Sequence, residues 1–242
     1  MDPAPHPALP VLASGEGWAV VAKPSGIAMH RSKMVHDPVV MIDLLRAQFG
    51  PPVHLVHRLD RPTSGCLLIA FEPEKATLLH QAMKEGTKRY LAFCRGHVTT
   101  RDPMDVDFPM KDDQGVLRTA RTRLQCLASC PDPRSALILA QPFTGRYHQV
   151  RRHIRDLCHP VLGDSMHGDT RVNRWWRENY GLPRLGLHCF SLSLPGPIPV
   201  DVTCPVPEDL ASLWRRLPWW EEALEALPKL ALPPAEPPEA SG

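Results

Sequence analysis

The chain has 242 residues, 43% hydrophobic and 22% charged, with a formal net charge of +2. That is enough for one large domain or two small ones, and the near-neutral balance excludes a strongly basic protein whose overall charge alone draws it to nucleic acid. The seven cysteines form no CxxC pair and read as reduced thiols, no basic-then-apolar leader opens the chain, and no apolar run reaches the roughly 20 residues of a membrane helix, so a cytoplasmic protein is expected.

Prolines crowd residues 3–10 and 228–238, and residues 1–14 and 228–242 read as extended tails around one domain over 15–227. Within it, a strand over 18–22 stops at the turn signal Lys23-Pro24-Ser25-Gly26, and a helix follows over 39–49. Strands over 53–58 and 65–71 flank a turn at Asp60. A helix over 73–84 has Pro73 at its start and Gly86 just past its end. Strands over 90–98, 120–127 and 135–141 come next. A helix over 148–157 follows, with Val150, Ile154 and Leu157 on one face. Residues 163–174 read as a loop, 185–194 and 199–203 as strands, and 208–227 as a helix broken or kinked at Pro218. Strands outnumber helices without alternating with them. The expected class is α+β, built on a large mixed, mostly antiparallel sheet flanked by helices and loops.

Four stretches could carry chemistry. In HRLDRPTSG, 57–65, Asp60 lies between Arg58 and Arg61. It is either a surface ion pair or a nucleophile kept ionised by guanidinium neighbours, since burial alone would raise a carboxyl pKa and spoil the anion. TGRYHQVRRHIRDLCHP, 144–160, holds Arg146, Arg151, Arg152 and Arg155 with His148, His153 and His159 interleaved, the densest cationic cluster in the chain. It is either a solvated helix face, a phosphate site, or the source of a guanidinium for Asp60. GDSMHGDTRVNR, 163–174, offers Asp164, His167 and Asp169; no further ligand is placed by spacing, so a tight turn is expected rather than a metal. In KRYLAFCRGHV, 88–98, Tyr90 opens a strand after two cations. It either covers a strand edge, stacks on a base, or takes a proton.

Together these segments resemble the RluA-type pseudouridine synthases. The resemblance rests on VAKPSGIAMHRS (21–32), HRLDRPTSG (57–65), KRY (88–90), TGRYHQVRRH (144–153), HPVLGD (159–164) and LGLHCFSLSL (185–194), in the family's order. HRS, RRH and the 163–174 stretch look most like the branch that modifies a uridine in the T stem of tRNA. Tyr147 stands where the family often has Thr or Lys, and Cys189 where Ala is usual. The motifs begin within the first 25 residues, so the N-terminal RNA-binding domain of some relatives is not expected.

The resemblance implies an isomerase that turns a uridine of RNA into pseudouridine without cofactor or metal; a monomer is expected. By position, Asp60 matches the catalytic aspartate and Arg58 the arginine that fills the gap left by the flipped uridine. Arg151 matches the arginine paired with the catalytic carboxylate, and Tyr90 the tyrosine that packs on the base and is placed to remove its C5 proton. Arg146, His148, Arg152, Arg155, Arg171 and Arg174 are expected to contact the RNA. Two alternatives stay open: the same chemistry on ribosomal RNA, and a non-catalytic RNA-binding protein on this fold. The 163–174 stretch argues against the first, and intact Asp60, Tyr90 and Arg151 against the second.

Overall fold

The structure, a computed structural model, describes residues 8–31 and 37–237. The chain divides into two compact units: residues 1–86, 191–204 and 234–242 form one, and 87–190 with 205–233 the other.

The first unit opens with β1 (Val11–Gly15), β2 (Trp18–Lys23), α1 (Met41–Phe49), β3 (His54–Leu55), β4 (Ser64–Ala70) and α2 (Pro73–Glu85). β2 pairs antiparallel with β1 and β4, and β3 pairs antiparallel with the end of β4. Every residue of β4 is buried, as its unbroken run Cys66 to Ala70 requires. Ala19, Val21, Leu67 and Ile69, alternate residues of β2 and β4, form a core with Met41, Leu44 and Leu45 of α1. Pro73 sits in the first turn of α2, where a missing N–H costs nothing, and the Gly86 N–H closes the other end on Ala82 O.

The second unit contains β5 (Thr87–Arg95), β6 (Met104–Val106), β7 (Met110–Lys111), β8 (Leu117–Arg118), β9 (Thr122–Pro131), β10 (Arg134–Pro142), α3 (Gln149–Asp156) and α4 (Thr170–Tyr180). β10 pairs antiparallel with β5 and β9, and β6 with β9. β11 (Leu187–Leu194) follows, and its second half, in the first unit, pairs antiparallel with β12 (Val200–Thr203). α5 (Glu208–Trp214), α6 (Trp220–Ala226) and a 3-10 turn, Pro228–Ala231, complete the second unit. Strand alternation sorts two cores here. Leu91, Phe93 and Leu137 pack with Trp176, Trp214 and Trp219. Ala92, Cys94, Ala136 and Ile138 pack with Val150 and Ile154 of α3. The tryptophan-rich segment therefore closes a core, and Trp219 Nε1 donates to Ser135 Oγ at 2.9 Å.

The α+β class and the mostly antiparallel pairing are as expected. The break expected at Pro218 is present: residues 208–227 form two helices, because Pro218 cannot donate a helical hydrogen bond and disfavours helical backbone at Leu217. Three local expectations change. Residues 170–174 are helix: the Asp169 carboxylate caps α4 by accepting from the N–H groups of Arg171 and Val172. The folded part also starts before Gly15 and ends after Leu227. Leu9 is buried with its N–H and C=O both bonded to the Gln48 amide, and Leu230 is buried in the 3-10 turn. The rest of the expected tails, 1–7 and 238–242, and residue Ser32 of the 21–32 motif lie outside the described residues.

Candidate active site

Asp60 is half-buried on the turn between β3 and β4. The Thr63 N–H closes that turn on Asp60 O at 3.0 Å. The 23–26 turn clamps it. Lys23 is 1% exposed, and its Nζ donates to the carbonyls of Pro24, Arg61 and Thr63 at 2.8, 3.2 and 2.9 Å. Ser25 Oγ donates to Pro62 O at 2.7 Å, and the Gly26 N–H to Arg61 O at 2.8 Å. Gly65 follows at φ 121°, a conformation that side chains rarely adopt, which explains the glycine of the motif.

The two arginines beside Asp60 differ. Arg61 turns away: its Nε donates to Gly26 O at 3.0 Å and its Nη2 pairs with Asp37 at 2.9 Å. Arg58 is exposed and makes no hydrogen bond or ion pair among the described residues. The flanking pattern thus combines one structural arginine with one available cation.

Lys23→Met is expected to loosen this turn. Each buried acceptor left without its donor costs about 1–3 kcal/mol; Arg61 O keeps the Gly26 N–H, so the Pro24 and Thr63 carbonyls make a loss of about 2–6 kcal/mol the expectation. Thermal melts followed by circular dichroism should show a clear drop in Tm; an unchanged melt would mean the ammonium is not what holds the turn.

In the second unit Arg151 is 4% exposed and forms a bidentate pair with Asp164. Arg151 Nε and Nη2 donate to the two carboxylate oxygens at 2.7 Å each. Asp164 also accepts from the N–H groups of Met166 and His167 at 2.9 Å. Burial pushes its carboxyl pKa up, but the Arg151 bonds and those N–H groups outweigh this and hold it below the ordinary value. Asn173, buried between Arg171 and Arg174, donates to Asp164 O at 2.9 Å and accepts from the Gly163 N–H at 2.8 Å. Gly163 is obligatory: its φ is 81°, and a Cβ there would lie 2.2 Å from Arg184 O. Asp164 and Asp169 are committed to Arg151 and to the cap of α4, so the structure brings no metal site together at 163–174.

Gln149 anchors the start of α3. Its Oε1 accepts from Thr144 Oγ1 and the Arg146 N–H at 2.7 and 3.0 Å, and its Nε2 donates to Arg121 O and Thr122 Oγ1 at 2.9 Å. His153 is buried, with Nδ1 on Thr122 Oγ1 and Nε2 on Phe108 O; burial lowers its pKa, and it acts as a packing residue. Arg146 and Arg155 are exposed and Arg152 partly so. Arg146 Nε reaches Thr119 O at 2.9 Å, and Arg155 Nε reaches Asp156 at 2.9 Å. Arg171 and Arg174 are exposed on α4. Tyr90 is partly buried on β5 opposite Ala140 and packs against the cluster containing Val150 and Ile154.

A family model described as RNA pseudouridylate synthase matches residues 17–156. The chain belongs to the RNA pseudouridylate synthase family. It is a pseudouridine synthase, an isomerase. The tRNA pseudouridine synthase C of Pasteurella multocida (strain Pm70) is 37% identical over 201 residues, 74% of this chain and 82% of that one. The protein of the same name from Vibrio vulnificus (strain CMCP6) is 32% identical over 242 residues, 90% of this chain and 99% of that one. The structure of human RNA pseudouridylate synthase domain containing 1 superposes with a TM-score of 0.71 at 24% identity, over 98% of this chain and 100% of that one; this is a likeness of fold.

Three groups that build this synthase's surroundings do not stand out in the sequence. Nothing in a Lys-Pro turn signal distinguishes the buried Lys23 ammonium from an exposed one. Asp164, which the sequence offers as a metal ligand, is instead the partner of Arg151. Gln149 carries no charge and lies inside a stretch dominated by charged residues.

Proposed function

We propose that this enzyme converts a uridine in the T stem of tRNA to pseudouridine, with Asp60, Tyr90 and Arg151 as its catalytic residues. The substrate reading rests on the relatives named tRNA pseudouridine synthase C, similar over 74% and 90% of the chain. The reaction breaks the N1–C1′ bond, rotates the base and joins C5 to C1′ with loss of the C5 proton. It neither oxidises nor adds atoms, so no cofactor is proposed.

The target atoms are inaccessible in a stacked helix, and flipping the nucleotide costs a few kcal/mol. Arg58 would offset part of that by occupying the vacancy, and its exposure without other partners among the described residues suits a side chain that enters the RNA. Asp60 acts either as nucleophile at C1′ or as the base that starts elimination, and Tyr90 takes the C5 proton. Arg151, fixed by Asp164, supplies the cation that supports the carboxylate. Arg146, His148, Arg152, Arg155, Arg171 and Arg174 contact the RNA, positioning it without reading its sequence.

Release of tritium from uracil C5, run on unmodified tRNA and on protein-free large-subunit ribosomal RNA at one salt concentration, tests this. Release from one T-stem uridine of tRNA, without added metal, is expected. Faster release from the ribosomal RNA would overturn the tRNA reading and leave the chemistry intact.

A further inference from the structure

Tyr147 is 58% exposed, and it stands just before α3. One face of its ring is already covered: it stacks on the His148 imidazole with centroids 3.7 Å apart and planes 23° from parallel. More than half of the residue lies in solvent, which leaves ring surface for a second stack. The backbone is shaped for this arrangement. His148 has φ 53° and ψ 30°, left-handed backbone uncommon outside glycine, and non-glycine residues persist there where their surroundings hold them.

Those surroundings are specific. His148 Nδ1 lies 3.0 Å from His167 Nε2. Arg155 Nη1 lies 3.5 Å from His167 Nδ1. Arginine can only donate, so His167 Nδ1 accepts, and its Nε2–H donates to His148 Nδ1. Burial lowers the His167 pKa, in keeping with this neutral form. The imidazole behind Tyr147 is thus fixed in its plane before any ligand arrives. The partly exposed Arg152 donates to Tyr147 O at 3.4 Å, and the exposed Arg146 is adjacent in sequence. An exposed aromatic ring on a rigid backing, beside cations, is how proteins hold an unpaired base next to its phosphates.

We infer that the Tyr147–His148 stack is a platform for one unpaired base of the substrate RNA, distinct from the uridine that reacts. The inference rests on the proposed RNA substrate and adds a residue that determines affinity. A solvent-facing tyrosine that merely props the left-handed turn would give a different result on substitution.

The experiment compares Tyr147→Ala and Tyr147→Phe with wild type, using unmodified tRNA transcript as the probe. The readouts are tritium release, the salt dependence of RNA affinity, and Tm. Tyr147→Ala is expected to raise KM about 5- to 150-fold, the range for one lost base stack, with kcat within threefold and Tm nearly unchanged. Tyr147→Phe, which keeps the ring, is expected to stay within threefold of wild type throughout. The slope of log affinity against log salt stays the same in both, because stacking releases no counterions. An Ala variant with wild-type KM overturns the platform, as does equal loss in Ala and Phe, or a loss accompanied by a large fall in Tm. Wild-type protein that converts no tRNA uridine overturns the substrate reading, and with it the ligand named here.

Discussion

Asp60→Asn is expected to lower pseudouridine formation by about 10²–10⁴-fold while the protein stays folded. The replacement is nearly isosteric; it removes the charge and turns one accepting oxygen into a donating NH2. The turn itself is held through main-chain carbonyls, those of Pro24, Arg61 and Thr63 on the Lys23 ammonium and that of Pro62 on Ser25, none of which the substitution touches. Tritium release at saturating tRNA gives turnover, and circular dichroism confirms the fold. Turnover within tenfold of wild type would remove Asp60 from the chemistry.

Arg151→Ala carries the second large effect, and it mixes two losses. The substitution removes the cation proposed to support catalysis. It also strands Asp164, whose side chain is 1% exposed, as a buried carboxylate without its bidentate partner. Breaking a buried pair from one side costs about 3–5 kcal/mol, which in a protein of this size lowers Tm by about 6–20 °C. Asp164→Ala should destabilise by a similar amount, since it strands the Arg151 guanidinium. The double variant Arg151→Ala with Asp164→Ala should lose less stability than the two single losses summed, because it removes both charges together. Thermal melts of the four proteins close the cycle; additive losses would mean that the pair is not a coupled unit. Only variants that remain folded at the assay temperature then report on turnover.

The same pair sets a pH limit. Asp164 has a folded-state pKa below its ordinary value of about 3.9, so its contribution to stability is present above that value and is lost as pH falls below it through the folded pKa. Arg151→Ala should flatten this part of the acid-unfolding curve.

The strands of the fold were legible wherever the chain alternated or ran apolar between turn residues. β2, β4 and β10 fall within a residue or two of their sequence readings because their burial demands Val, Leu and Ile. The short β6, β7 and β8 were not, since two or three mostly exposed residues leave no period to detect. α4 was hidden by its own beginning. Gly168 and Asp169 read as loop, although Asp169 is the cap and Val172, Trp176 and Tyr180 recur at helical spacing behind it. At the site, residue identities were legible from the motif series, but partners were not. The pairing of Arg151 with Asp164 joins positions 13 apart, and the Lys23 contacts join positions up to 40 apart. Only the folded backbone brings such residues within hydrogen-bond reach.

Of the six tryptophans, Trp18 alone lies in the first unit, while Trp175, Trp176, Trp214, Trp219 and Trp220 lie in the second. Trp176, Trp214 and Trp219 are each no more than 2% exposed, so their emission shifts to longer wavelength when that core opens to water. Intrinsic fluorescence is therefore nearly a one-sided optical gauge. It would follow loss of the Arg151–Asp164 pair closely and register little when the turn bearing Asp60 comes apart.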